Sequence, residues 1–524
     1  MKKILSILLI TPLLFSCEKI LDTAPYNSVT DASAFASAAR CALALNGVYD
    51  AAQGTFYVTG TTENRGYPFG AANITQGDAR GEDVVNAQAF YQVTYQATYN
   101  STAANVVAMW KGLYELINKT NIGVAGFRNA GANGVITPAV ATQYEAECRF
   151  LRAMAHHEAL IHFARPYSDG NGNKIGIPWR EEPITSSAAV NTLLNTPRMG
   201  VDSVYTKILA DLDFAETNLP MKLFTYRATK AAAIALKMRI KLHKGDWAGV
   251  IAEGAKLVPS AMGTTVPASE IGGWTLTATP QGPFTNNSSI ESIFSIKNDA
   301  VDAPSTNAGL SRMYGSASLS GRGLITISPI IYNNAGWLCD DLRKTELTTS
   351  GLNSAGNQAI LSTKYKDYAT WADFAPQIRY AEVLLTLAEA VARNGAGVSA
   401  DGLTLLNYVR NRSLKDPTNQ AYKISNFATK QDLVKAILLE RRIEFLAEGK
   451  RWGDISRLSP EADYSPGGIP AKAVNGAAGL SIYNCGGGYT PGQAAIAYSD
   501  YRFIWPIPST EVTQNPIVIQ NPEY

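Results

Sequence analysis

The chain has 524 residues, with 46 Lys and Arg against 44 Asp and Glu. Lys2 and Lys3 fall in an N-terminal leader, so the remaining charges balance, and no Lys/Arg cluster stands out along the chain. That balance argues against a broad basic surface for nucleic acid or anionic lipid. The length allows a large core and, taken alone, two or more domains.

The leader has the order of a secretory signal. Met1-Lys2-Lys3 is cationic, residues 4–15 are apolar except at Ser6, Thr11 and Pro12, and Ser16 precedes Cys17. The apolar run is shorter than the ~20 residues that cross a bilayer as a helix. A cysteine directly after the small residue points to lipoprotein processing, with residues 1–16 removed and acyl chains carried on Cys17. Each buried methylene contributes ~0.8 kcal/mol, so several chains anchor where one does not. An ordinary signal peptide with an incidental cysteine is the other reading.

Helical periodicity then follows in chain order over residues 33–51, 103–127, 142–163, 201–218, 230–243 and 247–258. It returns over residues 378–393, 401–412 and 430–448. The segment 230–258 reads as a tetratricopeptide-like hairpin. Ala231, Ala233 and Ala235 admit a neighbouring helix, Leu236, Ile240 and Leu242 pack, Gly245 stops the first helix and Trp247 opens the second. The fold class is therefore mainly α, a scaffold of helical hairpins over residues 30–258 and 377–460. Residues 55–98, 259–376 and 459–501 lose the helical period and are rich in Gly, Ser, Thr, Asn and Pro, with short strand-like runs such as 290–296. Loops of this extent on a rigid scaffold carry function.

Motifs for catalysis are weak. His156, His157 and His162 sit in one helical segment, but His157 and His162 are five apart and point about 140° from each other, unlike a zinc-protease pair. Gly486-Gly487-Gly488 lacks the strand-to-helix setting of a phosphate loop and reads as a flexible loop. In the charged segment 437–458, Glu440 or Glu444 could serve as acid or base. The structural alternative is an ion network to Arg379, Glu382 and Glu389, with Arg441–Glu444 and Glu448–Arg451 pairs on the helix surface. Paired carboxylates on loops stay open, since their separation is three-dimensional. Cys41, Cys148, Cys339 and Cys485 show no metal or redox spacing, and nothing pairs them.

Several segments together resemble the SusD/RagB family: Cys17 with Leu21-Asp22 and Pro25, then residues 146–167, Gly176-Ile177-Pro178, 202–220 and the 230–258 hairpin. The most specific are residues 378–390 with Arg410 and Arg412, 437–458, and the tail 505–524. The resemblance spans nearly all of residues 17–524, as one SusD/RagB-like domain whose ligand face lies mainly in 55–98 and 259–376. It implies a lipid-anchored, cell-surface, outer-membrane protein. Such a protein binds oligosaccharide, or peptide in RagB-like branches, beneath a role as lid on a SusC-like TonB-dependent barrel transporter, and performs no chemistry. A lipid-anchored hydrolase is the alternative from another class. Aromatic and polar loop residues are the candidate ligand contacts: Arg65, Tyr67, Phe69, Asn73 and Asp78 in the first stretch, and Trp274, Phe284, Tyr314 and Trp337 in the second. No cofactor is expected, and the Asp-rich loops of a calcium site are not evident.

Overall fold

The computed structural model describes residues 31–524, apart from 55, 56, 59, 60, 63–65, 261, 305 and 306, and leaves out the side chains of 31, 32, 57, 58, 61, 62, 192 and 193. Cys17 and Arg65 thus lie outside the described residues.

Ten helices carry the body: α1 (Ala38–Gln53), α2 (Ala104–Ala132), α3 (Pro138–Phe163), α4 (Val201–Asn218), α5 (Lys230–Lys244), α6 (Trp247–Leu257), α7 (Tyr380–Asn394), α8 (Ala400–Asn411), α9 (Lys430–Glu444) and α10 (Arg451–Leu458). Their starts are fixed locally. Ser37, Thr137, Thr229, Asp246 and Ser399 accept from backbone N–H groups of the first turn, and Thr429 with Asp432 forms a capping box. Gly245 ends α5 in the left-handed conformation at φ 69°, so the 230–258 hairpin forms as its sequence predicts.

Each of α1 to α6 packs on its successor, and α6 packs on α7, which in turn holds α8 and α9. The stack is therefore continuous in space although residues 259–376 interrupt it in sequence. The α6–α7 join is close: a Cβ on Gly254 would lie 2.7 Å from Leu387 Cδ1. Six two-stranded antiparallel pairings complete the fold among the described residues. Two of them tie distant loops together, Val84–Asn86 with Ile325–Ile327 and Ser292–Ile296 with Ala375–Arg379. The strand expected at 290–296 begins at Ser292, and all its residues are buried, because both of its faces are covered. Cys339 and Cys485 form a disulfide across a sequence separation of 146, whereas Cys41 and Cys148 are buried thiols.

The charged segment departs from its expected form. Helix α9 stops at Glu444 instead of 448, because Ala447 (φ 66°) and Gly449 (φ 75°) turn the chain through left-handed conformations. The surface pairs Arg441–Glu444 and Glu448–Arg451 do not form. Arg441 meets Asp454, and Arg451 meets Glu82. The links to the earlier helix do form: Arg379 binds Glu444 and Glu448, Arg457 binds Glu389, and Lys450 lies 3.5 Å from Glu382.

These bonds belong to a buried cluster. Arg343, Lys364, Arg379, Arg410 and Arg412 face Glu291, Asp341, Glu440, Glu444 and Glu448. Glu440 and Glu444 are 1% and 3% exposed and each is held by two or three guanidinium groups, which leaves neither free to act as a general acid or base. Against the burial that opposes ionisation, the surrounding guanidinium groups hold the Glu444 carboxyl well below its ordinary range. Removing one partner strands a buried charge, which costs ~3–5 kcal/mol. Arg379→Met is expected to lower unfolding free energy by that amount in urea titrations, whereas Lys207→Met, at a pair both of whose side chains are exposed, should change it by less than about 1 kcal/mol.

All four histidines are buried. His156 donates Nδ1–H to Arg152 O and accepts at Nε2 from Arg180 N, so it is neutral. Arg80 donates to His162 Nδ1, which places the proton on Nε2, facing Glu158. His157 packs edge-on against His243 at 4.8 Å. Burial pushes His156 and His243 down to about 3, and lowers His157 and His162. Below about pH 6.5 the unfolded chain takes up protons that these rings refuse, so stability falls with pH. Asp78 and Glu115, raised by burial to about 8 and about 7, act in the opposite sense because they stay protonated in the folded state. Burial raises Asp302 and Asp373 as well. Against the burial that opposes their ionisation, Glu82, Glu158 and Glu382 are held down to about 2 by their basic partners, and they join the histidines in losing stability as the unfolded chain takes up protons. The unfolding free energy from urea titrations is therefore expected to drop from pH 6.5 to 4.5, by about 1.4 kcal/mol per pH unit for each net proton, and His243→Asn should make the slope shallower.

Candidate functional site

Most of the aromatic residues singled out in the sequence face inward. Tyr67, Phe69, Tyr314 and Trp337 are each no more than 2% exposed. Tyr67 accepts from Gln76 Nε2 at 2.9 Å, and Phe69 O accepts from Gln377 at 3.0 Å. Tyr314 donates to Asp78 Oδ2 at 2.7 Å, and Gly449 N–H donates to Asp78 Oδ1 at 3.0 Å. Despite both donors, burial raises the Asp78 carboxyl. Asn73 and Phe69 line a narrow pocket of about 60 Å³ between helices, beside His157, Glu158 and Arg239. That space suits a water cluster, not an oligosaccharide. Trp274 is buried under Lys222, and Trp337 packs on Tyr332. These residues stitch the loops to the scaffold, and a docked ligand does not reach them in this conformation. The structure thus brings Tyr67, Asn73, Asp78 and Tyr314 near one another, but as internal supports.

Phe284 is different. It is half-buried and lines a shallow recess with Asn286, Asn287, Tyr365, Asp373 and Phe374. Its ring is edge-on to Tyr365 at 6.0 Å, with the Lys364 ammonium 4.9 Å and the Arg379 guanidinium 5.3 Å from its centre. The exposed Asn287 fixes the rim: it donates to Ala372 O at 3.2 Å and accepts from Phe374 N at 3.0 Å. Asp367 shapes the same turn by accepting from the N–H groups of Ala369, Thr370 and Ala372, and Trp371 sits at φ 60° with the Arg312 guanidinium 4.8 Å over its ring.

Two further rings extend this surface. Tyr226 meets Phe374 edge-on at 6.0 Å, and Phe224 stacks on Tyr226 with centroids 5.2 Å apart and planes 2° from parallel. Phe224 is 66% exposed. The Lys297 ammonium lies 5.3 Å from the Tyr226 centroid. Sequence reading missed Phe224 and Tyr226 because they lie in the short turn before α5, outside the long irregular stretches. The signal was present as bulky aromatics in a turn where no helical period gives them a core to face.

This arrangement can hold a ring-shaped, hydroxyl-rich molecule. Flat aromatic faces receive C–H surfaces, while exposed amides and a nearby ammonium bond hydroxyls. Asp373 accepts from Lys366 N and Asp367 N, so its carboxylate is already committed to the turn. A roomier cleft of about 390 Å³ lies elsewhere, between α9 and residues 463–470. It offers one aromatic ring, Tyr464, which the Arg393 guanidinium covers at 4.2 Å. Phe224→Ala with Tyr226→Ala removes surface rings only, so the double variant is expected to keep its melting temperature within about 2 °C of the parent in calorimetry.

Comparison with known proteins agrees with the architecture. Residues 19–242 match the family described as "Starch-binding associating with outer membrane", and residues 356–524 match the SusD family. SusD-like protein P38 of Formosa agariphila is 22% identical over 99% of this chain and 98% of its own length. SusD-like protein P2 of the same organism is 25% identical over 67% of this chain and 72% of its own. The crystal structure of a SusD superfamily protein from Bacteroides fragilis superposes with a TM-score of 0.73 at 26% identity, covering 92% of this chain and 99% of that one. A SusD-like carbohydrate binding protein from Bacteroides vulgatus, 16% identical, has the same fold at a TM-score of 0.70, covering 92% and 97%. With both family matches in chain order on one continuous helical stack, the chain belongs to the SusD/RagB family.

Proposed function

We propose that this protein binds oligosaccharides at the cell surface without cleaving them and passes them to a SusC-like TonB-dependent transporter in the outer membrane. The observation that carries the reading is the ring surface made by exposed Phe224 with half-buried Tyr226 and Phe374, beside Phe284, Asn286 and Asn287. The family described as starch-binding and outer-membrane-associated supports it. Residues 1–16 serve as the leader, Cys17 carries the lipid, and residues 17–524 act as one binding domain. Among the described residues no helix is long and apolar enough to cross a membrane. In this reading Phe284 and Arg65 remain contact candidates. Tyr67, Phe69, Asn73, Asp78, Trp274, Tyr314 and Trp337 support the ligand face from beneath.

A panel of oligosaccharides and peptides tests the ligand class. A true ligand at a hundred times its Kd stabilises the folded state by about 2.7 kcal/mol, read as a raised melting temperature. Stabilisation by peptides alone would move the protein to the RagB-like alternative, and product release on prolonged incubation would move it to the hydrolase. With the responding glycan, Phe224→Ala with Tyr226→Ala is expected to weaken binding about tenfold in calorimetric titration, and Tyr464→Ala to leave it unchanged. Cys17→Ala should shift the folded protein from the membrane to the soluble fraction, and its retention in membranes would refute the anchor.

A further inference from the structure

The disulfide between Cys339 and Cys485 is chemically lopsided. Cys339 is exposed, whereas Cys485 is half-buried. The Lys344 ammonium lies 3.0 Å from Cys485 Sγ and donates to Trp337 O at 2.7 Å. Lys344 is itself buried, with the rings of Tyr332 and Trp337 each 4.9 Å from its nitrogen. No carboxylate among the described residues lies within ion-pair distance of it. The neighbouring Asp341 is taken by Arg343, at 3.0 Å to Oδ1 and 2.8 Å to Oδ2. Burial pushes the Lys344 ammonium down to about 8, with Asp341 opposing, so it remains charged at neutral pH. It is a desolvated cation whose nearest polarizable partner is one sulfur of a disulfide.

We propose that this disulfide is a directional thiol-exchange site, at which a low-molecular-weight thiol captures Cys339 and Cys485 leaves as a thiolate held by Lys344. The incoming thiolate forms a bond to Cys339 Sγ. The Cys339–Cys485 bond breaks, and its electron pair stays on Cys485 Sγ. A second thiolate then attacks the small thiol's sulfur in the mixed disulfide, releasing Cys339 as thiolate and leaving the two small thiols joined as their own disulfide. Three features favour this direction. Access is open at Cys339. A thiol beside a lysine has a lowered pKa and departs faster. The Lys344 charge, which has no counter-ion among the described residues in the oxidised form, gains one when the bond opens.

The bond also governs a strap. Asn333 donates to Ile482 O at 2.8 Å and Gly488 O at 2.9 Å and accepts from Asn484 N at 2.8 Å, clasping the segment that carries Cys485. Within it Gly486 and Gly488 hold φ of 76° and 67°. Exchange at Cys339 leaves this segment attached through the Asn333 clasp and the bond from Tyr483 to Ile327 O, without its covalent tie.

The test uses the folded mature chain with reduced glutathione at pH 7, quenched by alkylation and mapped by peptide mass spectrometry. The expected map has glutathione on Cys339 and the alkyl label on Cys485, in at least about a tenfold excess over the reverse. Lys344→Met is expected to slow opening about tenfold, from a drop of about two pKa units lost at a Brønsted slope near 0.5, while Lys344→Arg keeps the parent rate. The parent map decides the question by itself if Lys344→Met fails to fold. Glutathione found mainly on Cys485, equal labelling of both sulfurs, or opening only in denaturant would each overturn the proposal.

Discussion

The loop-rich face is held to the helical stack by buried ion pairing. Arg343, Lys364 and Glu291 come from the long excursion between α6 and α7, and Glu440, Glu444, Glu448, Arg379, Arg410 and Arg412 come from or adjoin the scaffold helices. An apolar interface could join the same surfaces with at least equal stability, because desolvating charges is expensive. What the ionic joint adds is selectivity of register. Each guanidinium needs its carboxylates at fixed positions, so a slid or rotated loop leaves charges stranded. A segment of more than a hundred residues with little regular secondary structure is thereby given one docking arrangement on the scaffold.

Sequence reading recovers what is decided locally and fails where distant residues decide. The α5–α6 hairpin is legible because Thr229, Gly245 and Asp246 specify its ends within a few residues of the helices they cap. The break after Glu444 is not legible. It depends on Gly449 N–H reaching Asp78 and on Glu448 turning toward Lys364 and Arg379, partners that lie dozens to hundreds of residues away. The backbone of Gly77 also passes so near Gly449 O that a Cβ would lie 2.4 Å from it, a contact with no local signature. The Arg441–Glu444 spacing suited a surface pair, yet both charges turn inward because the helix is covered on that side.

The proposed binding surface shows the same division. Composition marks which loops are rich in rings, but not which rings face solvent. Tyr314 and Asp78 satisfy each other inside the protein, and Trp337 closes over Lys344. Phe224 and Tyr226 lie in a turn too short to attract notice, yet they are the rings left without a core. Aromatic residues in long loops are thus needed first to give those loops an interior. The rings available to a ligand are the remainder, and short interhelical turns supply them as readily as long loops do.

The ionic joint and the recess are physically one object. Lys364 binds Glu448 in the joint, and its ammonium also lies against the Phe284 ring that lines the recess. Arg379 does the same from the scaffold side. The floor of the proposed binding surface is therefore fixed by charges that cannot shift without losing buried partners. A stiff floor lowers the ordering cost of binding, since its side chains are already immobilised before a ligand arrives. Specificity is then left to the rim, where Asn286, Phe224 and Lys297 are exposed and held by fewer bonds. In the proposed reading, changes among these rim residues would alter which hydroxyls and ring faces are accommodated without disturbing the joint, because none of them bonds to the joint's charges.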